Sequence, residues 1–414
     1  MRHLDTLHRQ RWQEACGRDR DLAGLAIGAD VSFAISCGDT HAVFTFCNGY
    51  CQSDSGRQPA FTLVADDSDW ETFFLKEPPP AYQSFFGMLM RVSSASIAGD
   101  ELVMAQHAHL VRRVLDIGRE TLAGTCVEPD PVRRSKADLS AGYVEIEIDG
   151  ESLDIFYESA GHGRDVLLLH TAGAYARQYH GLMAESALTE RCRLVAFDLP
   201  GHGRSDALPG VAPADYSLTT ELYAQIILSV ISQLDLDRPV LSGSSMAGEI
   251  CLEMALRSAD RLAGVIACEA SDYVPGRTTP WARHPRVNQS LFVPEWINGL
   301  MAPHTSAACR QQVWWGYSQG GYATFAGDID FYTGEWDARE RVASIDTAVC
   351  PVVMLTGEYD YSCTPEMSKA TAKKIPGAVY WTMPKLGHFP MAEHPSVFAT
   401  HFIRALDLIE VDSE

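Results

Sequence analysis

PVLSGSSMAGEICLEMALRSAD, residues 239–260, is the stretch on which the reading of the fold turns. A short apolar run, PVLSG, passes through Gly243-Ser244-Ser245-Met246-Ala247-Gly248 into an amphipathic helical segment. Acyl transfer by a serine needs its hydroxyl exposed on a tight strand-to-helix turn, with small neighbours so that the strained backbone clears itself. Gly243 and Ala247 are such neighbours, and Ser245 is the candidate nucleophile. An ordinary glycine-rich turn would need neither the strand before it nor the helix after it.

Working outward, short continuous apolar runs recur between helical stretches: VLLLH (166–170), RLVAFD (193–198), LAGVIAC (262–268), PVVMLTG (351–357) and AVYWTM (378–383). Runs of this length alternating with helices are the pattern of buried parallel strands, which predicts a doubly wound, mostly parallel sheet. YVEIEIDG and ESLDIFYES, just upstream, alternate like a half-exposed hairpin. Lys385-Leu386-Gly387-His388-Phe389-Pro390 follows the last run and precedes the helix opened by Pro395. Only a histidine titrating near neutrality can take the serine proton and return it to a leaving group, so His388 is the candidate base. His394 nearby has no such position.

A second serine competes. Gly316-Tyr317-Ser318-Gln319-Gly320 fits G-x-S-x-G better and resembles the serine motif of cutinases. Its surroundings disagree: VWW is a poor buried strand and GYATFAGDID a poor helix. Choosing Ser318 would leave the preceding strand–helix series without a role.

The segment Gly243–Gly248 resembles the nucleophile elbow of α/β-hydrolases, with Ala247 in place of the usual second glycine. That resemblance spans about residues 143–410, with its motifs in the expected order. It implies an acid at Asp360, in Thr356-Gly357-Glu358-Tyr359-Asp360, to orient His388. Glu269 is the alternative acid, since some lactone-hydrolysing relatives carry theirs at that strand end; Glu358 reads as a turn residue. His170-Thr171-Ala172-Gly173 takes the place of the oxyanion loop, although Thr171 stands where the family more often has glycine. The amides of Ala172 and Met246 would then stabilise the oxyanion. Phe197-Asp198-Leu199-Pro200-Gly201-His202-Gly203-Arg204-Ser205 is the glycine-rich loop typical of the family, with Asp198 and His202 in structural roles. Residues 271–345 fit an inserted cap containing Trp281, Trp296, Trp314, Trp315 and Trp336. Aromatic caps suit a bulky apolar or aromatic substrate; Tyr175, Trp314 and Trp315 are the candidate contacts, against the alternative that the rings only pack the cap onto the body.

A chain of 414 residues has room for two domains, each with its own core. CVEPDPVRRSKADLSAG (126–142) reads as a linker, placing an α+β domain at 1–125 and the hydrolase domain at 143–414. In the first domain, VSFAISC (31–37) and HAVFTFC (41–47) look like strands joined by a Gly38-Asp39 turn, and FTLVAD like a third. A helical patch around Trp70–Phe74, the Pro78–Pro80 break and helical segments near 82–94 and 102–122 follow. This order, with Gly99-Asp100 before the last helix, resembles sterol-carrier-protein-2-like domains, which hold lipids in an apolar tunnel. Packing on the catalytic domain, or building a homodimer, is the plainer role.

A formal charge of −21 argues against nucleic-acid or anionic-membrane partners. The polar N-terminus lacks a signal-peptide core, and no run approaches the roughly 18 apolar residues of a membrane helix. Eleven scattered cysteines, several in apolar segments (Cys192, Cys251, Cys268), suit a reducing cytoplasm; Cys47 and Cys51 lack zinc-site partners. The expectation is therefore a cytoplasmic serine hydrolase without metal or organic cofactor, cleaving an ester or lactone. Two rivals stand: carbon–carbon hydrolysis of a diketone or ring-fission product, because Ser-Ser-Met-Ala-Gly resembles the elbow of that branch, and a non-catalytic lipid- or ligand-binding protein.

Overall fold

The computed structural model describes residues 6–37, 40–52, 56–131 and 138–411, and the Gly38-Asp39 turn lies outside them. Two sheets form on two separate hydrophobic cores. The first contains β1 (Asp30–Cys37), β2 (Thr40–Cys47), β3 (Tyr50–Gln52), β4 (Phe61–Val64) and β5 (Ser96–Gly99), ordered β3-β2-β1-β4-β5. Alternation puts Phe33, Phe44, Phe46 and Phe61 on one buried face, where Phe33 stacks on Phe61 at 5.2 Å between centroids. Helix Thr6–Arg18 closes over them through Trp12, whose indole N–H donates to the Val114 carbonyl at 2.8 Å. The segment expected to be helical near 102–122 is two helices, Glu101–Gln106 and Ala108–Leu122, broken at His107.

The second sheet contains β6 (Ser140–Ile148), β7 (Glu151–Gly161), β8 (Arg164–Leu169), β9 (Cys192–Phe197), β10 (Val240–Ser244), β11 (Gly264–Cys268), β12 (Val352–Gly357) and β13 (Val379–Met383). Their order is β13-β12-β11-β10-β8-β9-β7-β6. β8 to β13 run parallel to one another and are largely apolar, the pattern of strands buried on both faces; β7 pairs antiparallel with β9 and with β6 at the edge. β6 opens at Ser140, inside the stretch read as linker, because 140–142 continue the pairing with Tyr157–Ser159. Cys192, Cys251 and Cys268 are buried free thiols.

Between β11 and β12 lie helices Gln289–Asn298, Ala307–Tyr317 and Thr324–Asp330. Among the described residues no helix is long and apolar enough to cross a membrane. In open α/β sheets ligands bind beyond the carboxyl ends of the strands. Here those ends carry His170 after β8, Ser245 after β10, Glu269 after β11, Asp360 after β12 and His388 after β13.

Candidate active site

Ser245 sits between β10 and helix Met246–Arg257 at φ 65° and ψ −129°, a conformation that costs a non-glycine residue free energy and persists only where packing enforces it. The enforcement is visible. The Ser245 amide donates to the Cys268 carbonyl at 3.0 Å, and a Cβ on Gly243 would stand 2.4 Å from that of Ala247. Small residues at 243 and 247 are therefore steric requirements of the turn. Met246 is the first helical residue, so its amide has no acceptor within the helix.

The loop after β13 comes to the same place. Ser244 Oγ donates to the His388 carbonyl at 2.9 Å, tying the residue before the candidate nucleophile to the candidate base. His388 is 3 % exposed, and its Nδ1 lies 2.7 Å from Asp360 Oδ2. The other oxygen of Asp360 accepts from the amides of Ser362 at 2.7 Å and Cys363 at 3.3 Å, which fixes the carboxylate's orientation. Glu269, fully buried, accepts from the Gly357 amide with both oxygens at 3.0 Å. Burial, and then the neighbouring Asp360 charge, push the Glu269 carboxyl well above the ordinary range. Glu358 is exposed and accepts from the Lys385 amide at 2.9 Å.

His170 holds the loop after β8. Its Nε2 accepts from the Leu199 amide at 3.0 Å and its Nδ1 faces the Thr171 carbonyl at 2.9 Å, while burial pushes its pKa down to about 3. It is thus a neutral structural ring. Thr171, in the glycine position, contacts the Tyr317 hydroxyl at 2.6 Å and so fastens this loop to helix Ala307–Tyr317. Ala172 beside it is buried. Asp198 accepts from the amides of Ala176 at 2.7 Å and Arg204 at 2.9 Å, and His202 Nε2 lies 2.8 Å from Asp328.

The aromatic candidates divide. Tyr175 and Trp315 line one small notch together with Tyr317 and Phe389. Trp314 points elsewhere, donating its indole N–H to Glu295 at 2.9 Å. Ser318 ends helix Ala307–Tyr317, half-buried, with its hydroxyl bonded to the Trp315 carbonyl at 2.7 Å. It is not on a strand-to-helix turn.

Several residues near the site carried no signal in sequence. Asp328, in helix Thr324–Asp330, accepts from the Gly173 amide at 2.7 Å and from the Tyr216 hydroxyl at 2.9 Å, joining the loops of both to one carboxylate. Arg277 is 2 % exposed; its Nε donates to Ser362 Oγ at 2.9 Å and its guanidinium lies 4.1 Å over the Trp296 ring. Its Nη1 has no partner among the described residues. The N-terminal domain also reaches the acid loop: Gln83 donates to the Tyr359 carbonyl at 2.8 Å, and Arg91 to those of Tyr361 and Ser362, both at 2.7 Å.

A strand-to-helix serine, a histidine–carboxylate pair and a mostly parallel sheet define a hydrolase class. The chain belongs to the Alpha/beta hydrolase family, whose model matches residues 166–401. It is 26% identical over 270 residues to the pimeloyl-[acyl-carrier protein] methyl ester esterase of Chromobacterium violaceum, covering 61% of this chain and 97% of that one. It is 27% identical over 127 residues to an Escherichia coli 2-hydroxy-6-oxononadienedioate/2-hydroxy-6-oxononatrienedioate hydrolase, covering 30% and 42%. A 28% match over 187 residues to PHYLLO of Arabidopsis thaliana covers 41% of this chain and 10% of that one. The chain likewise spans 38% of the length of a putative non-heme haloperoxidase of Mycobacterium phage D29. Among solved structures, the enol-lactonase of Burkholderia xenovorans LB400 superposes with TM-score 0.55 at 20% identity, covering 64% of this chain and 99% of that one. A Thermogutta terrifontis esterase superposes with TM-score 0.54 at 22% identity, covering 65% and 99%.

Proposed function

We propose that this hydrolase cleaves an ester or lactone of a bulky apolar or aromatic substrate through an acyl-enzyme. Ser245 attacks the carbonyl carbon and passes its proton to His388, and Asp360 holds the imidazole with Nδ1 protonated. The Ala172 and Met246 amides receive the oxyanion. His388 then protonates the leaving oxygen, and a water activated by the same ring releases the acid. The observations that carry this reading are a strained Ser245 at the strand-to-helix turn and a His388 ring fixed 2.7 Å from Asp360, on loops joined by Ser244. The similarity to a methyl ester esterase and to the fold of an enol-lactonase agrees with it.

One observation favours a second substrate class. The guanidinium of Arg277 is buried, borders the Asp360 loop and has no carboxylate partner among the described residues. A substrate carboxylate or enolate would satisfy it, as the products of ring fission could. The same serine would then cut a carbon–carbon bond, releasing an acid and a ketone instead of an alcohol.

The test is turnover of a panel of p-nitrophenyl esters, lactones and vinylogous diketones, with products identified. Ser245→Ala should abolish every activity and Ser318→Ala none. Loss of activity in Ser318→Ala alone would overturn the assignment.

A further inference from the structure

A cavity of about 310 Å³ lies between the N-terminal domain and the cap, and the proposed reaction makes no use of it. Its volume falls at the lower end of small-molecule sites, and domain interfaces are where such sites concentrate. The walls come from helix Ala108–Leu122 and residues 83–86 on one side, and from helices Gln289–Asn298 and Ala307–Tyr317 on the other.

Its electrostatics run against those of the chain. In a protein of charge −21, this cavity is lined by five cationic and three acidic side chains. All three acids are already committed: Asp116 and Glu295 to Arg112, and Glu120 to Arg113. Arg119 and Arg310 are left without a carboxylate among the described residues. Arg119 donates only to the carbonyls of Phe73, Tyr82 and Gln83; Arg310 donates to the carbonyls of Asn298 and Ala302 and to the Asn298 side chain. Burial lowers the affinity of both for their protons, for Arg119 to about 10. Two cations held in a low-dielectric wall by neutral oxygens are a standing electrostatic demand for an anion. Gln83 also lines the cavity; it is 8 % exposed, and its Oε1, an acceptor, has no donor among the described residues, which calls for a polar group of the occupant other than its anionic head. The remaining wall is apolar, with Phe86, Met104 and Val111 prominent.

We propose that this interdomain cavity binds an anionic amphiphile, its carboxylate or phosphate-like head on Arg119 and Arg310 and its apolar body along Phe86, Met104 and Val111. The site would read the ligand beside the acid loop, because Gln83 and Ser84 line the cavity and also contact Tyr359 and Tyr361.

Calorimetric titration of the full chain with decanoate, below its micellar range, tests this directly. One saturable site per chain is expected, with decanol binding at least tenfold more weakly. Ala108→Trp, which fills the cavity from its wall, and Arg310→Met, which removes half of the cationic head site, should each weaken decanoate at least tenfold. Thermal melts of both variants show whether they fold, and either one that does suffices for the comparison. Absence of saturable binding, equal binding of decanol, or undiminished binding to a folded variant would each overturn the proposal. Binding is read without turnover, so the result is independent of whether Ser245 is the nucleophile.

Discussion

Replacing Asp360 by asparagine should cost far more activity than replacing Glu269 by glutamine, and the geometry says why. Asp360 Oδ1 accepts two backbone amides, from Ser362 and Cys363, and Oδ2 faces His388 Nδ1 at 2.7 Å. An asparagine must keep its oxygen toward the two amides, which turns its NH2 toward the ring. His388 Nδ1 then becomes an acceptor and the ring carries its proton on Nε2, where it cannot take one from Ser245. The wrong tautomer in a serine–histidine–acid site lowers kcat by roughly 10⁴-fold, which corresponds to about 5.4 kcal/mol in the barrier. Glu269 differs because burial and the Asp360 charge favour its protonated form, and glutamine reproduces that form's shape and neutrality. Its oxygen can still accept from Gly357, so a loss below about tenfold is expected from the one altered hydrogen bond. The assay is kcat on a p-nitrophenyl ester, with circular dichroism confirming fold. A Glu269→Gln enzyme as crippled as Asp360→Asn, or an Asp360→Asn enzyme within tenfold of wild type, would refute the reasoning.

Three further outcomes follow from buried groups. Glu249, four residues past Ser245, is fully buried with neither carboxyl oxygen bonded among the described residues, and burial raises its proton affinity well above the ordinary range. The folded state keeps a proton that the unfolded chain releases above its pKa of about 4.3. Stability is therefore full below that value and falls with rising pH, by up to ~1.4 kcal/mol per unit, until the folded group ionises. Glu249→Gln removes this dependence, so its melting temperature should gain on wild type between pH 5 and pH 8; a constant difference across that range would speak against a buried, protonated Glu249. A Cβ on Gly248 would stand 2.2 Å from the Cys268 carbonyl, which also receives the Ser245 amide, so Gly248→Ala should destabilise by about 1–3 kcal/mol. An unchanged denaturant midpoint would contradict that packing. Arg277→Met should lower kcat/KM for carboxylate-bearing substrates by about 10- to 150-fold, the worth of one charge-assisted bond, while neutral esters lose little; equal losses for both classes would remove the case for anion recognition.

The parallel strands were legible because each is a short apolar run between helical stretches, and all six proposed from 166 to 383 lie in the sheet. The turn at Ser245 was legible because its steric demand is written in Gly243 and Ala247. What the chain concealed is long-range. Nothing local to Asp328 announces that one carboxylate will hold the Gly173 amide, His202 and Tyr216 together. Nor does Arg277, one arginine in an aromatic stretch, signal a buried guanidinium against Ser362. The linker's end was misplaced by composition, since Ser140–Gly142 look like loop residues but pair as strand. Of the aromatics between β11 and β12, only the fold could separate Trp315, which lines a notch, from Trp314, which is spent on Glu295.

The most direct measurement is peptide mapping by mass spectrometry after reaction with a fluorophosphonate. A phosphonyl group on Ser245 alone, formed slowly or not at all in His388→Ala, is the expected result. An adduct on Ser318, or an unmodified Ser245 in protein whose turnover the reagent has abolished, would contradict the mechanism at its first step.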